Sequence, residues 1–220
     1  MSQEFIDDVT QGDVAKVKEM LRADPSLAQS KDQNGVSVIM KALYYGKRDV
    51  VAELLASGVQ LNVFEAAATG QADQLRALIQ KDPSLVNTYS PDGFTPLGFA
   101  AFFGQAETLN ALLAAGAQVN APSREAMKMS PLGSALAAER NDLAGTLIEH
   151  GADVNAKAAN DLTPLHTVAA RGNLESAKLL LDHGADATAT STDGKTPISY
   201  AEERNHPDMV EFLSAIVSGT

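Results

Sequence analysis

Cysteine is absent from the 220-residue chain. That excludes a disulfide framework, a zinc site built on thiolates and a catalytic thiol. Tryptophan is absent too, and seven Phe with four Tyr hold aromatics to 5% of the sequence. Small and aliphatic side chains, alanine above all, must therefore fill any core. Apolar runs all fall short of the roughly 18 residues that a membrane helix needs. The N-terminal stretch MSQEFIDDVT is acidic and lacks the basic and apolar segments of a secretory leader, so a cytoplasmic location is expected. Basic residues are few, 17 against 28 acids, for a net charge of −11. A surface of that sign repels phosphate backbones, and no nucleic-acid partner is expected.

What is present is repetition. TPLHTVAARGNLESAKLLLDHGAD begins at Thr163, and a matching segment begins 33 residues later at Thr196. SPLGSALAAERNDLAGTLIEHGAD begins 33 residues earlier, at Ser130, and TPLGFAAFFGQAETLNALLAAGAQ a further 35 earlier, at Thr95. SVIMKALYYGKRDVVAELLASGVQ, from Ser37, has the same shape. Two shorter segments, from Phe5 and Val63, match each other at an offset of 58 without gaps. The same offset carries Gly35, Gly46 and Gly58 onto Gly93, Gly104 and Gly116, so the first half reads as a duplicated two-unit block.

Each full unit starts with Ser or Thr, followed in four of the five by Pro, which caps a helix and fits its first turn. Nine residues after the cap stands Gly46, Gly104 or Gly172, where a left-handed residue ends the helix; Gly70 is their equivalent in a short unit. Asn205 takes that place in the last unit, and Glu139 takes it less comfortably in the unit from Ser130. A second amphipathic helix follows, as in Leu174, Ala177, Leu180 and Leu181. Lys128 and Asp161 replace the turn glycine of other units, and two residues are inserted near Pro122 to Met129. The short units lack the turn-and-cap segment, so no projecting hairpin is expected at Val63.

The period near 33 and the T-P-L-H signature resemble the ankyrin repeat family. The resemblance implies an all-α solenoid of seven stacked helix-turn-helix units with short β-turn tips, in one domain. Unit bounds are expected near 1–33, 34–62, 63–91, 92–122, 123–157, 158–190 and 191–220. It further implies a non-enzymatic, cofactor-free module that binds a protein or peptide, acting as a monomer. The concave face is lined by the first helices, and the two residues before each helix-ending glycine point into it.

Carried over by position, the concave candidates are Tyr44, Tyr45, Ala68, Thr69, Phe102, Phe103 and Arg171. Val36, Phe94, Met127, Met129 and Leu162 fall on the tips. Five of the eleven aromatics therefore sit at concave or tip positions, and a group of exposed rings marks a contact surface. Two aromatic ridges would flank a floor of small residues, Ala68 and Thr69. Phe99 should be core. Phe103, four residues on, can fold onto the same helix face, so shielding of the stack or contact between copies of the chain competes with partner binding. The four histidines repeat with the unit: His166 is the last letter of TPLH, where the family implies a hydrogen bond bracing the turn. His150 and His183 end two equivalent helices, where a cation suits the dipole. No phosphate loop, dinucleotide motif or nucleophile elbow occurs.

Overall fold

The computed structural model describes residues 2–219. Helices α1 (Ser2–Gln11) and α2 (Val14–Ala23) form a first pair, α3 (Val38–Tyr44) and α4 (Arg48–Ala56) a second, and α5 (Val63–Thr69) and α6 (Ala72–Lys81) a third. Then follow α7 (Pro96–Phe103) with α8 (Ala106–Ala114), α9 (Pro131–Ala137) with α10 (Asn141–Glu149), α11 (Pro164–Ala169) with α12 (Leu174–Asp182), and α13 (Pro197–Glu203) with α14 (Pro207–Ser218). Odd-numbered helices pack in one row from α1 to α13, and the even-numbered ones lie behind them. Each inner first helix is thus sandwiched between neighbours of the same kind, which makes stability a sum of unit and junction terms.

Sequence chemistry explains the close stacking. Ala66, Ala67, Ala100, Ala101, Ala135, Ala169 and Ala201 are all fully buried in the first-helix row, where a larger side chain would push the helices apart. Leucines of the second helices, among them Leu54, Leu75, Leu112, Leu147 and Leu180, fill the space between the rows. The hydroxyls of Ser37, Thr95, Ser130 and Thr196 accept the amides of Met40, Gly98, Gly133 and Ser199, three residues on. Gly104 ends α7 at φ 77°, and Glu139 adopts φ 58° at the equivalent place. Lys128 and Asp161 likewise stand at φ 53° and 56° in their turns. The stack's geometry therefore overrides the preference of these non-glycine residues, at a cost of about 1–2 kcal/mol each.

The structure adds two features that the repeat pattern did not announce. Short 3-10 turns at Pro25–Gln29 and Pro83–Asn87 follow α2 and α6, capped by Asp24 and Asp82, whose carboxylates accept the amides of Ser26 and Ser84. The D-P-S-L tetrapeptide, present twice, was the available signal. An asparagine clamp also joins successive units. Asn87, Asn120 and Asn155 each donate to a glycine carbonyl of the next unit (Gly116, Gly151 and Gly184) and accept an amide from Gln118, Asp153 and Asp186, at 2.8–3.3 Å. In the first unit Asp8 is buried and paired with Lys16 at 2.9 Å.

The tips form a ladder with one break. Each closes on itself, as in Asp32 N–H to Val36 O and Ser90 N–H to Phe94 O. From the second tip onward they are also bonded to one another: Arg124 N–H to Gly93 O, Ala159 N–H to Met127 O and Thr192 N–H to Asn160 O, at 2.7–2.9 Å. Between the tips at 31–37 and 90–94 stands α5, which starts directly at Asn62. Asn62 and Glu65 cap each other reciprocally, so the chain enters the helix without a projecting turn. In addition, Pro91 occupies the place of Arg124 and Ala159 and has no N–H to give.

Candidate partner-binding face

Seven residues contribute rings or long side chains beside the tipless unit. Phe99 is 3% exposed and lies at the centre, with ring centroids 5.2 Å from Phe94, 6.1 Å from Phe64 and 6.2 Å from Phe103. Phe103 in turn touches Tyr44 at 6.1 Å and Phe102 at 5.2 Å. Met40 and Ala68 lie beneath this chain of rings, and Val36 packs against it. The volume that a hairpin would have covered is thus covered by aromatics. Phe64, which the repeat pattern did not single out, belongs to this group.

The candidate residues separate by what they can still offer. Tyr45 is 60% exposed and Phe102 43%. Phe103, Phe94 and Val36 are half-buried in the cluster. Ala68, expected as the open floor of a trough, is fully buried. The ridges lean toward each other across it, since Tyr44 and Phe103 are in contact, and the trough over Ala68 is closed. Thr69 is half-buried and spends its hydroxyl on the Glu65 carbonyl at 2.7 Å. Tyr44 keeps an exposed ring edge, but its hydroxyl donates to the Asp92 carboxylate. Burial, and then the Asp92 carboxylate, push the Tyr44 phenol well above its ordinary range, so it stays protonated as a donor.

On the C-terminal side the face opens. A hollow of about 530 Å³ lies between the tips and helices α9 and α11, walled by Met127, Met129, Leu162 and Ala137, with Lys128, Lys157 and Arg171 at its edge. Met127 is exposed because the inserted residues enlarge its tip, where Glu125 accepts the Met127 amide at 2.6 Å. A second hollow of about 360 Å³ continues between Arg171 and Arg204 over Thr167, Ala170 and Tyr200. A third, about 410 Å³, lies below Phe102 and Phe103 and is bordered by Lys47, Arg48 and Arg140. Arg171 was expected here; Arg140 and Lys47 were not. Their signal was positional, for both directly follow a residue that ends a first helix.

His166 behaves as the turn brace that the family implies. Its Nδ1 accepts the Thr163 amide at 3.2 Å, and its Nε2–H donates to the Lys195 carbonyl of the next tip at 3.1 Å. Burial holds its pKa below the ordinary histidine value. His150 and His183 donate from Nδ1 to the carbonyls of Thr146 and Leu179 one turn back. Among the described residues, no helix is long and apolar enough to cross a membrane.

Paired helices stacked in two rows, with turn tips projecting beside the first row, define a helical repeat solenoid. A family model described as ankyrin repeats (3 copies) matches residues 63–158 and 132–218, more than half of the chain, and the chain belongs to the ankyrin repeat family. Repeats of this family generally mediate protein–protein interaction. The human DNA-binding protein RFXANK is 33% identical over 109 residues, 49% of this chain and 42% of its own length. The ankyrin repeat domain-containing protein SAT10 of Stachybotrys chartarum is 25% identical over 154 residues, 68% of this chain and 8% of its own. The serine/threonine-protein kinase VIK of Arabidopsis thaliana is 35% identical over 85 residues, 39% of this chain and 19% of its own. The chain spans less than half the length of these curated relatives.

Proposed function

We propose that this chain is a non-enzymatic binding module that holds a protein or peptide on its concave face and tips, as an adaptor, inhibitor or regulator. The observation that carries this reading is the exposure of Tyr45 and Phe102 at the ends of α3 and α7, in the same row of first helices that walls the hollow edged by Met127, Leu162 and Arg171. Large exposed rings cost little entropy to immobilise and are the usual anchors of an interface. The buried Phe99 and the occupied hydroxyls of Tyr44 and Thr69 leave these residues as the free part of the cluster. The module acts as a monomer, and its partner is a protein rather than a nucleic acid, a reading supported by the net charge of −11.

The test is affinity capture from the source organism with the wild-type chain and a Tyr45→Ala/Phe102→Ala variant, read by mass spectrometry. A protein recovered by the first and lost with the second is the expected result. Identical recovery profiles for both would put the binding surface elsewhere. Sedimentation equilibrium at high concentration should return a monomer; a dimer sensitive to the same two substitutions would assign the rings to self-association.

A further inference from the structure

We infer that the segment bound on the concave face is an acidic peptide, its apolar side chain seated at Tyr45 and Phe102 and its carboxylates running toward Arg204. This deepens the reading above and rests on it.

The argument is a charge asymmetry. The chain carries 28 acids and 17 bases, and residues 123–220 alone hold 14 acids against eight bases. Three hollows along the first-helix row have the opposite composition. Lys128, Lys157, Arg171 and Arg204 line the two on the C-terminal side, where Asp153 is the one acid. Lys47, Arg48 and Arg140 border the third, beside Phe102, with no acid in its wall. A fourth hollow, beside α5, adds Lys31 with Glu65 and Asp92, so eight of the 17 cations line these hollows against three of the 28 carboxylates.

These cations are largely uncommitted. Lys47, Arg48, Lys128 and Arg204 form no ion pair among the described residues. Arg171 meets Glu139 at 3.4 Å and Lys157 meets Asp161 at 3.8 Å, long contacts between exposed groups that are worth little and are readily exchanged. Asp153 already accepts the Asn155 amide. Arg140 forms no ion pair among the described residues either; its Nε is enclosed against Gly104.

A nucleic acid fits less well. The cations are spread among apolar walls, in separate hollows, and the rest of the surface repels a polyanion much longer than the face. A short acidic peptide with one or two large apolar residues meets the cations and the rings together.

The experiment is selection of random 12-residue peptides on phage by the immobilised full chain. Parallel selections use a Lys128→Glu/Arg171→Glu/Arg204→Glu variant and the Tyr45→Ala/Phe102→Ala variant, each checked by circular dichroism. Wild type is expected to enrich peptides rich in Asp and Glu with a Phe, Leu or Trp, and both variants to lose them. The selected peptide, measured by fluorescence anisotropy, should weaken about tenfold between 50 and 500 mM salt and at least about tenfold with Arg204→Gln alone. Neutral peptides lost only with the ring variant would overturn the acidic partner and leave the binding face standing. Basic peptides, or an oligonucleotide held more tightly than the selected peptide, would also overturn it. Selection of nothing at all would sink this inference and the proposed function together. Should the triple variant fail to fold, the salt dependence and Arg204→Gln decide alone.

Discussion

The Tyr44 hydroxyl donates to the Asp92 carboxylate, joining the second helix pair to the tip of the fourth across a unit that has no tip of its own. The 58-residue duplication places Phe102 at the position equivalent to Tyr44, where no hydroxyl exists and the ring is left open. One position thus carries a strut in the first block and none in the second, although the two rings are equally exposed, 44% and 43%. Tyr44→Phe keeps the ring and removes the strut. It should cost about 0.5–1.5 kcal/mol, and a double-mutant cycle with Asp92→Asn should show coupling of that size in urea denaturation. Additive losses would mean that the bond contributes nothing.

Phe99→Ala and Phe102→Ala should differ sharply. Phe99 is buried against three other rings, and its loss should cost about 3–5 kcal/mol. Phe102 is 43% exposed, and its loss should stay within about half a kcal/mol of wild type. Phe103 should fall between, since its ring covers Phe99. Equal large losses at all three positions would make every ring core and remove the anchor from the binding face.

His166 predicts a pH dependence. Its folded-state pKa is lowered, chiefly by burial, so the neutral ring is the one the fold favours. The unfolded chain then binds the extra proton, and stability falls as pH drops through the ordinary histidine value near 6.5. The Nδ1 that would take the proton accepts the Thr163 amide in the folded chain. His166→Gln can make the same reciprocal cap without titrating. Wild type should lose urea stability relative to this variant between pH 7.5 and 5.5, while equal slopes would refute the assignment.

The asparagine clamp should matter within the stack and not at its end. Asn120→Ala removes two inter-unit hydrogen bonds and should cost about 1–2 kcal/mol in chemical denaturation. Thr188, 33 residues after Asn155, is followed by a last unit whose second helix runs on through the place of the glycine turn, and it bonds Asp186 of its own turn instead. Thr188→Ala should therefore stay within about half a kcal/mol.

Ending the chain before Thr196 removes α13 and α14 and uncovers Leu165, Val168 and Leu180, all now fully buried. The truncated protein should melt lower and aggregate on warming, because each unit covers the apolar flank of the one before. An unchanged melting temperature and full solubility would contradict this.

Much of this was written plainly in the chain. Repeats, caps and helix ends follow local rules, and each recurs often enough to be read by comparison within one sequence. Phe99 was legible as core because it directly precedes the small pair Ala100 and Ala101, which faces the neighbouring helices. Ala68 misled because position alone said exposed, while its surroundings include the rings of two other units. Tyr44 is exposed as its position said, but its bond to Asp92 was not legible: Asp92 lies 48 residues away, and the missing hairpin between them brings the two together. Arg140 and Lys47 were passed over because charge at a helix exit usually means solvent. What escaped the sequence was in each case a contact made across a junction.

The broken tip ladder has a mechanical meaning. From residue 90 onward neighbouring tips share backbone hydrogen bonds, so they move as one rod. The tip at 31–37 is coupled to that rod by helix packing, the ring cluster and one tyrosine. Bending compliance should therefore concentrate at α5, much as a jointed ruler folds at its loosest rivet. Spin labels at Asn34 and Asp193 should report a broader distance distribution than labels at Asp92 and Asp193. A ligand that reached both sides of α5 would narrow it.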